Sequence, residues 1–167
     1  RVPLLSLEDS LNLDLASANK LYSAHMNKYL LQVFEVLGLS EMDVKGGQGI
    51  EIWLNDGRTL LDFSAGLGIV GLGHNHPRIV AAEERCHQMK VIDSIKVAPH
   101  KLQGALAYNI AQFMPEPLKV SFFSVSGSEA VEAALKICER AQSPKGKNKF
   151  ICMQGSFHGK THGSLSV

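Results

Sequence analysis

The feature that most constrains the fold is a strand–helix–strand pattern in the second half of the chain. Residues 120–123 and 150–153 are short apolar runs typical of buried strands, and residues 127–141 between them have helical character. Two strands joined through a helix run parallel, because the helix returns the chain to the same end of the sheet. The sequence therefore predicts an α/β fold in which a mainly parallel sheet starts here.

The first half of the chain predicts a helix and a β-hairpin. Residues 21–37 carry an apolar stripe at helical spacing, and Gly38 is a natural stop for that helix. Residues 50–54 and 59–63 flank the turn sequence Asn-Asp-Gly, and this combination is the signature of a hairpin.

Two more helices are predicted between the hairpin and the first apolar run. One begins at Pro77, a residue favoured in the first helical turn, with Asn75 or His76 as its cap. The other begins at Pro99 and is ended by the prolines that start at Pro115.

Composition excludes several classes of protein. The 167 residues are 45% hydrophobic, and 17 basic residues against 16 acidic ones leave a formal charge of +1. Such a chain folds, and its balanced charge predicts no nucleic-acid partner. Its longest stretch without a polar side chain, residues 65–73, is too short to cross a membrane. The three scattered cysteines form no CxxC pair, so a reducing compartment is expected.

Three glycine motifs compete as phosphate sites. The run from Gly66 to Gly71 reads G-x-G-x-x-G, but the predicted helix begins six residues later, at Pro77. A dinucleotide site needs these glycines to open the helix, so a loop that allows close backbone approach is the better interpretation. The sequence from Gly155 to Thr161 resembles a P-loop that is one residue short, which disfavours the anion nest of that motif.

The third motif leads from the first apolar run into the helix. Ser126 and Glu129 have the spacing of a capping box, which alone is structural. Gly127 and Ser128 would place unencumbered amides at the positive end of a helix, where open α/β sheets bind anions. A cap and a phosphate site are both consistent with this spacing.

The second and third motifs together indicate one ligand. Each follows a strand of the predicted parallel pair, so both loops should emerge at the same edge of the sheet. The earlier loop offers a phosphate cradle, and the later one offers the aromatic ring of Phe157 with His158 beside it. A cofactor with both a phosphate and an aromatic ring would bridge the two loops.

These segments resemble one known family. Residues 126–136 and 155–163 resemble the class III, pyridoxal-phosphate-dependent aminotransferases, which include the ornithine, 4-aminobutyrate and acetylornithine enzymes. Residues 62–77 are similar to the glycine loop and the G-H-x-H-P turn of that family. The resemblance extends from about residue 49 to the end of the chain and is loose before it.

The resemblance implies fold type I and a set of residues that bind pyridoxal 5'-phosphate. That set is Ser126, Gly127, Ser128, Phe157, His158, Gly159 and Glu132. By position, Gly127 and Ser128 would hold the phosphate, Phe157 would stack on the pyridine ring, and His158 with Gly159 would shape the same wall. Glu132 would orient a water or the phosphate loop, or it would be an ordinary helix-surface acid.

The resemblance also implies a domain plan. Residues 1–73 would form part of a small domain with the hairpin, and residues 74–167 would begin the large cofactor domain. No catalytic residue is assigned, because the family's Schiff-base lysine and its acid beside the pyridinium nitrogen are expected beyond Val167. The isolated chain is therefore expected to be inactive. The spacing of His74 and His76 suggests a turn, and no metal site is assigned.

The function implied is transfer of an amino group from an amine or amino acid to a keto acid or aldehyde. A cytoplasmic homodimer without nucleic-acid or membrane partners is expected. Mutase and decarboxylase relatives share these motifs and stay open as alternatives. Two other classes also stay open, a non-catalytic or split-enzyme assembly partner and a P-loop-like nucleotide-binding protein.

Overall fold

A computed structural model describes residues 4–95 and 97–167, which divide into two compact units between Val91 and Ile92. The helices and strands of the first unit are α1 Leu7–Leu11, α2 Leu15–Tyr22, a π-helical stretch Ser23–Asn27, α3 Lys28–Val36, β1 Val44–Gln48, β2 Glu51–Leu54, β3 Thr59–Leu61, α4 Ala65–Gly68 and α5 Pro77–Gln88. Those of the second unit are α6 Lys101–Ala111, α7 Gly127–Gln142 and a 3-10 turn Ser143–Lys145.

The helix predicted over residues 21–37 is interrupted at Asn27. This residue has extended backbone angles (φ −151°, ψ 101°), and its side-chain oxygen accepts bonds from the amides of Tyr29 and Leu30 at 3.0 Å. Asparagine side chains compete for backbone amides in this way, which favours a new helix start over continuation. Gly38 ends α3 in the left-handed region (φ 70°), as predicted.

The predicted hairpin is confirmed. Strands β2 and β3 pair antiparallel with Ile52 opposite Leu60, and Gly57 takes the turn with φ 88°. An unpredicted strand, β1, completes a three-stranded sheet in the order β1-β2-β3. Its glycines weaken the strand signal, but Gly47 is needed, because a Cβ there would lie 2.5 Å from a backbone oxygen of β2.

The two central helices begin with histidine caps. The Nδ1 atom of His76 accepts the amide of Arg78 at 3.3 Å, which settles the predicted choice between Asn75 and His76. His100 caps α6 in the same way, through the amide of Leu102. Helix α6 ends at Ala111, before the prolines are reached.

The helix predicted over residues 127–141 is confirmed as α7, which extends one residue further. Only one of the two hydrogen bonds of its capping box forms. The hydroxyl of Ser126 accepts the amide of Glu129 at 3.3 Å, but the Glu129 carboxylate accepts the amide of Val125 at 2.8 Å. The acid thus reaches one residue further back than the standard box.

The two predicted buried strands are a point of correction. Residues 120–123 and 150–153 form no strand in the described part of the chain, and Val120 and Ile151 are 96% and 100% exposed. A β-strand exists only with a hydrogen-bonded neighbour, and these two runs do not pair with each other. The prediction of two buried strands, which depended on apolar composition alone, is therefore wrong for the described residues.

Few apolar side chains are buried within the described residues. Leu31 of α3 and Leu54 of β2 are buried in the first unit, and Ala111 of α6 is buried in the second. Within residues 4–95 and 97–167, no helix has the length and hydropathy needed to cross a bilayer. The domain boundary between residues 73 and 74 stays a prediction.

Candidate functional site

The start of α7 presents open backbone N–H groups. Ser126 accepts the amides of Glu129 and Ala130, whereas the amides of Gly127 and Ser128 have no acceptor among the described residues. A Cβ built on Gly127 would have no atom within 4 Å, so the space beside these amides is clear. Unpaired amides at the positive end of a helix form a site for an anion.

The later loop docks against this helix start, as the sequence predicted. The amide of Lys160 donates to the hydroxyl of Ser128 at 3.3 Å, and the hydroxyl of Thr161 donates to Glu132 Oε1 at 2.6 Å. These contacts join residues about thirty positions apart in the chain. They place the proposed phosphate cradle and the proposed ring-binding loop side by side.

Glu132 is the anchor of that loop. Besides Thr161, its Oε1 atom accepts the amides of Gly163 at 2.8 Å and Ser164 at 3.3 Å. The Thr161 hydroxyl and then the Gly163 amide lower the pKa of Glu132, because they bond to its charged form. The carboxylate therefore binds the loop that follows residue 158, whereas the sequence suggested an acid that orients a water or the phosphate loop, or an ordinary helix-surface acid.

Two glycines of the later loop pack closely against side chains of α7. Gly159 is buried with φ 132°, and a Cβ there would overlap the Ser128 side chain and lie 2.6 Å from Ser164 Oγ. A Cβ on Gly163 would overlap the Glu132 carboxylate. At Gly159 a side chain would strain the backbone and crowd Ser128, whereas at Gly163 the Glu132 carboxylate would have to turn aside.

Phe157 and His158 occupy the exposed arm of the loop. The ring of Phe157 is 76% exposed, which leaves its face free to meet a planar ligand. The hydroxyl of Ser156 donates to the carbonyl of Met153 at 2.6 Å and lies 2.9 Å from Nε2 of His158. Because the serine proton is already engaged, Nε2 carries a proton and donates to Ser156.

A second polar cluster, in the first unit, was not found from the sequence. Asp62 Oδ2 lies 2.8 Å from His74 Nε2, and Oδ1 accepts the Ser64 amide and hydroxyl at 2.8 Å and the Ala65 amide at 2.9 Å. The Ser64 hydroxyl, then His74, lower the pKa of Asp62 to about 2. Only the Asp-x-Ser spacing, typical of an Asx turn, signals part of it.

His74 has the turn role that was predicted. Its backbone pairs with Gly49 through two bonds of 2.8 Å, and Gly73 (φ 83°) passes so close that a Cβ would lie 2.8 Å from the backbone of Gly49. The Asp62 carboxylate contacts the side chain of His74, which the spacing of His74 and His76 did not indicate. Among residues 4–95 and 97–167, no three potential metal ligands are grouped together.

The G-x-G-x-x-G run forms α4 and the loop after it. Ala65, Gly66 and Leu67 have φ values of 45°, 62° and 62°, so a left-handed turn lies where a dinucleotide fold would need a helix start. Helix α5 begins only at Pro77. The glycine loop therefore has no helix N-terminus to offer a pyrophosphate.

The Asp62 cluster is expected to loosen in acid. A pKa lowered from 3.8 to about 2 means that the stabilisation is complete above the unfolded value and is lost as the pH falls through about 2. Amide exchange at Ser64 and Ala65, measured between those pH values, should rise in the wild type. Asp62→Asn should show no such dependence, and Asp56→Asn on the hairpin serves as a control. If amide exchange at Ser64 and Ala65 in the wild type did not change over this pH range, the role given to the Asp62 carboxylate would be wrong.

Solved structures of transaminases are similar to this chain. A transaminase from the marine bacterium Virgibacillus is 25% identical with a TM-score of 0.75 over 90% of this chain and 35% of that one. A mutant thermostable omega transaminase from Pseudomonas jessenii is 27% identical with a TM-score of 0.69, over 81% and 31%. The fold is that of the N-terminal part of a fold type I transaminase, so the predicted fold class is confirmed.

Residues 37–167 match the family Aminotransferase class-III, and the chain belongs to that family. A putrescine aminotransferase from Pectobacterium atrosepticum is 43% identical over 117 residues. That alignment covers 66% of this chain and 24% of the relative. The chain thus spans about a quarter of the curated relative and about a third of the solved ones.

Proposed function

We propose that the protein containing this chain is a pyridoxal-5'-phosphate-dependent aminotransferase. It would transfer an amino group from an amine or amino acid to a keto acid or aldehyde. The observation that carries the proposal is the contact between Lys160 and Ser128, which holds the aromatic loop beside the open amides of α7. Membership of the class III family supports the same activity.

The residues present fit this cofactor. Open amides at Gly127 and Ser128, with clear space in front of them, suit a phosphate. The exposed ring of Phe157 suits a pyridine face, since stacked aromatic rings attract each other. A site for phosphate alone would not need an aromatic ring on the neighbouring loop.

Each of these residues has a binding role in the proposed site. The amides of Gly127 and Ser128 donate to the phosphate, and the cap Ser126 keeps them aimed outward. Phe157 covers one face of the ring, while His158 and Gly159 form the adjoining wall. When bound, the cofactor supplies the electron sink that makes amino transfer possible. The chain shown here supplies binding and orientation.

The amino donor to test first is a short diamine. The putrescine aminotransferase of Pectobacterium atrosepticum is 43% identical to this chain over 117 residues. Substrate choice in the whole protein depends on all of its pocket, so putrescine is a starting point. A homodimer in the cytoplasm, acting on small molecules, remains the proposed context.

The function is tested with the purified natural-length protein. Supplied with pyridoxal 5'-phosphate, putrescine and a 2-keto acid, it should form the corresponding amino acid. Equilibrium dialysis against ATP and magnesium should detect no specific binding. Nucleotide binding without cofactor binding would replace the aminotransferase proposal with the P-loop alternative.

Phe157→Ala is expected to weaken cofactor binding by about tenfold, since base–aromatic stacking of comparable rings is worth roughly 1–3 kcal/mol. Because the ring is largely exposed, the free energy of unfolding should hardly change. Titration of cofactor absorbance gives the dissociation constant, and Phe157→Tyr, which keeps the ring, is the matched control. Equal affinities for the alanine variant and the wild type would remove Phe157 from the site.

A further inference from the structure

The turn from Thr161 to Ser164 is closed on one carboxylate oxygen. The hydroxyl of Thr161 and the amides of Gly163 and Ser164 all donate to Glu132 Oε1. Within the turn, the Thr161 amide donates to the Ser164 hydroxyl at 2.9 Å. Ser164 is only 2% exposed, so this turn is a well-packed polar unit.

This turn anchors the loop that carries Phe157 to α7. Closer to Phe157, Gly159 packs against Ser128 with no room for a side chain. The 2.6 Å bond from the Ser156 hydroxyl to the Met153 carbonyl is local to the segment before Phe157. The position of the Phe157 ring relative to the start of α7 therefore depends on the bonds at Glu132.

We infer that Glu132 is a positioning residue that fixes the ring-binding loop at a set distance from the phosphate-binding amides. The inference rests on the proposed function and deepens it. Glu132 acts through the loop rather than by touching the cofactor. It lies about one helical turn beyond Ser128 on the same helix, so a single rigid element carries both the cradle and the anchor.

The geometry separates two possible roles of Glu132, one that depends on its hydrogen-bonding oxygen and one that depends on its charge. All three donors use the same oxygen, so the amide oxygen of glutamine at position 132 can accept the same bonds. Alanine can accept none of them. If Glu132 acted only through its charge, its effect would be lost equally in Glu132→Gln and Glu132→Ala. Glu139, which is exposed on the same helix, provides the control variant Glu139→Ala.

The first measurement uses hydrogen–deuterium exchange of the natural-length protein without cofactor. In Glu132→Ala, the amides of residues 161–166 should exchange about 10- to 100-fold faster, as expected when bonds to a charged group are lost. Glu132→Gln should stay within about threefold of the wild type, and Glu139→Ala should match it. Unchanged exchange in Glu132→Ala would overturn the inference.

The second measurement uses pyridoxal 5'-phosphate itself. Glu132→Ala should raise its dissociation constant by about tenfold and reduce the visible circular dichroism per bound cofactor, because the ring is no longer held at one angle. Glu132→Gln should restore both. Faster exchange with normal affinity and dichroism would overturn the positioning role. A wild type that binds no cofactor would overturn the proposed function, while the exchange result would still decide the anchor.

Discussion

Gly159→Ala is expected to release the later loop from α7. A Cβ at this position would overlap the Ser128 side chain and lie 2.6 Å from Ser164 Oγ, on a backbone with φ 132°. The backbone strain alone costs about 1–3 kcal/mol, and the overlap prevents relief within the native loop. The loop should therefore move outward, break the Lys160–Ser128 bond and carry Phe157 away from the cradle.

The measurement is hydrogen–deuterium exchange of residues 157–166 together with cofactor affinity. Both should change strongly, while exchange in α7 beyond its first turns should not. Gly155→Ala is the matched control, since Gly155 also has a positive φ of 77° but has open space around a Cβ. It should cost only the left-handed strain of about 1–2 kcal/mol. Equal behaviour of the two variants would refute the close-packing argument.

Gly127→Val is expected to abolish tight cofactor binding without destabilising the protein. A Cβ at Gly127 meets no protein atom within 4 Å, so a valine side chain fits without a clash and adds bulk beside the proposed phosphate site. It would hold a phosphate away from two N–H donors. The loss of two charge-assisted bonds corresponds to a rise of about 100-fold or more in the dissociation constant.

The check combines a cofactor titration with a denaturation curve. The free energy of unfolding should change by less than about 1 kcal/mol, since valine is tolerated in a helix. Gly104→Val on α6, where a Cβ also meets nothing, controls for the substitution itself. If Gly127→Val retained wild-type affinity, the phosphate would have to bind elsewhere.

The parts of the fold that sequence reasoning predicted are those with local causes. Pro77, the Asn-Asp-Gly turn after β2 and the Ser126 cap each determine the conformation of residues within three or four positions. Their signals are complete within a short window of sequence. The helix break at Asn27 is also local, but helical spacing on both sides of it concealed the break.

The parts that were missed depend on contacts across the chain. A strand forms only beside a hydrogen-bonded neighbour, and apolar composition does not show which segment would pair with residues 120–123 or 150–153. The Asp62–His74 contact spans twelve residues, and the use of a single Glu132 oxygen by three donors depends on a turn about thirty residues away. The family resemblance included Glu132 among the cofactor-binding residues, but only the structure shows that its carboxylate binds the later loop.

The paired backbones of Gly49 and His74 make the intervening segment a closed ring of chain. Its two ends are held together by two backbone hydrogen bonds, and the Asp62 carboxylate, from within the segment, contacts the side chain of His74. A protease that cut the exposed stretch near Leu67 would therefore leave both cut pieces attached to the ring closure.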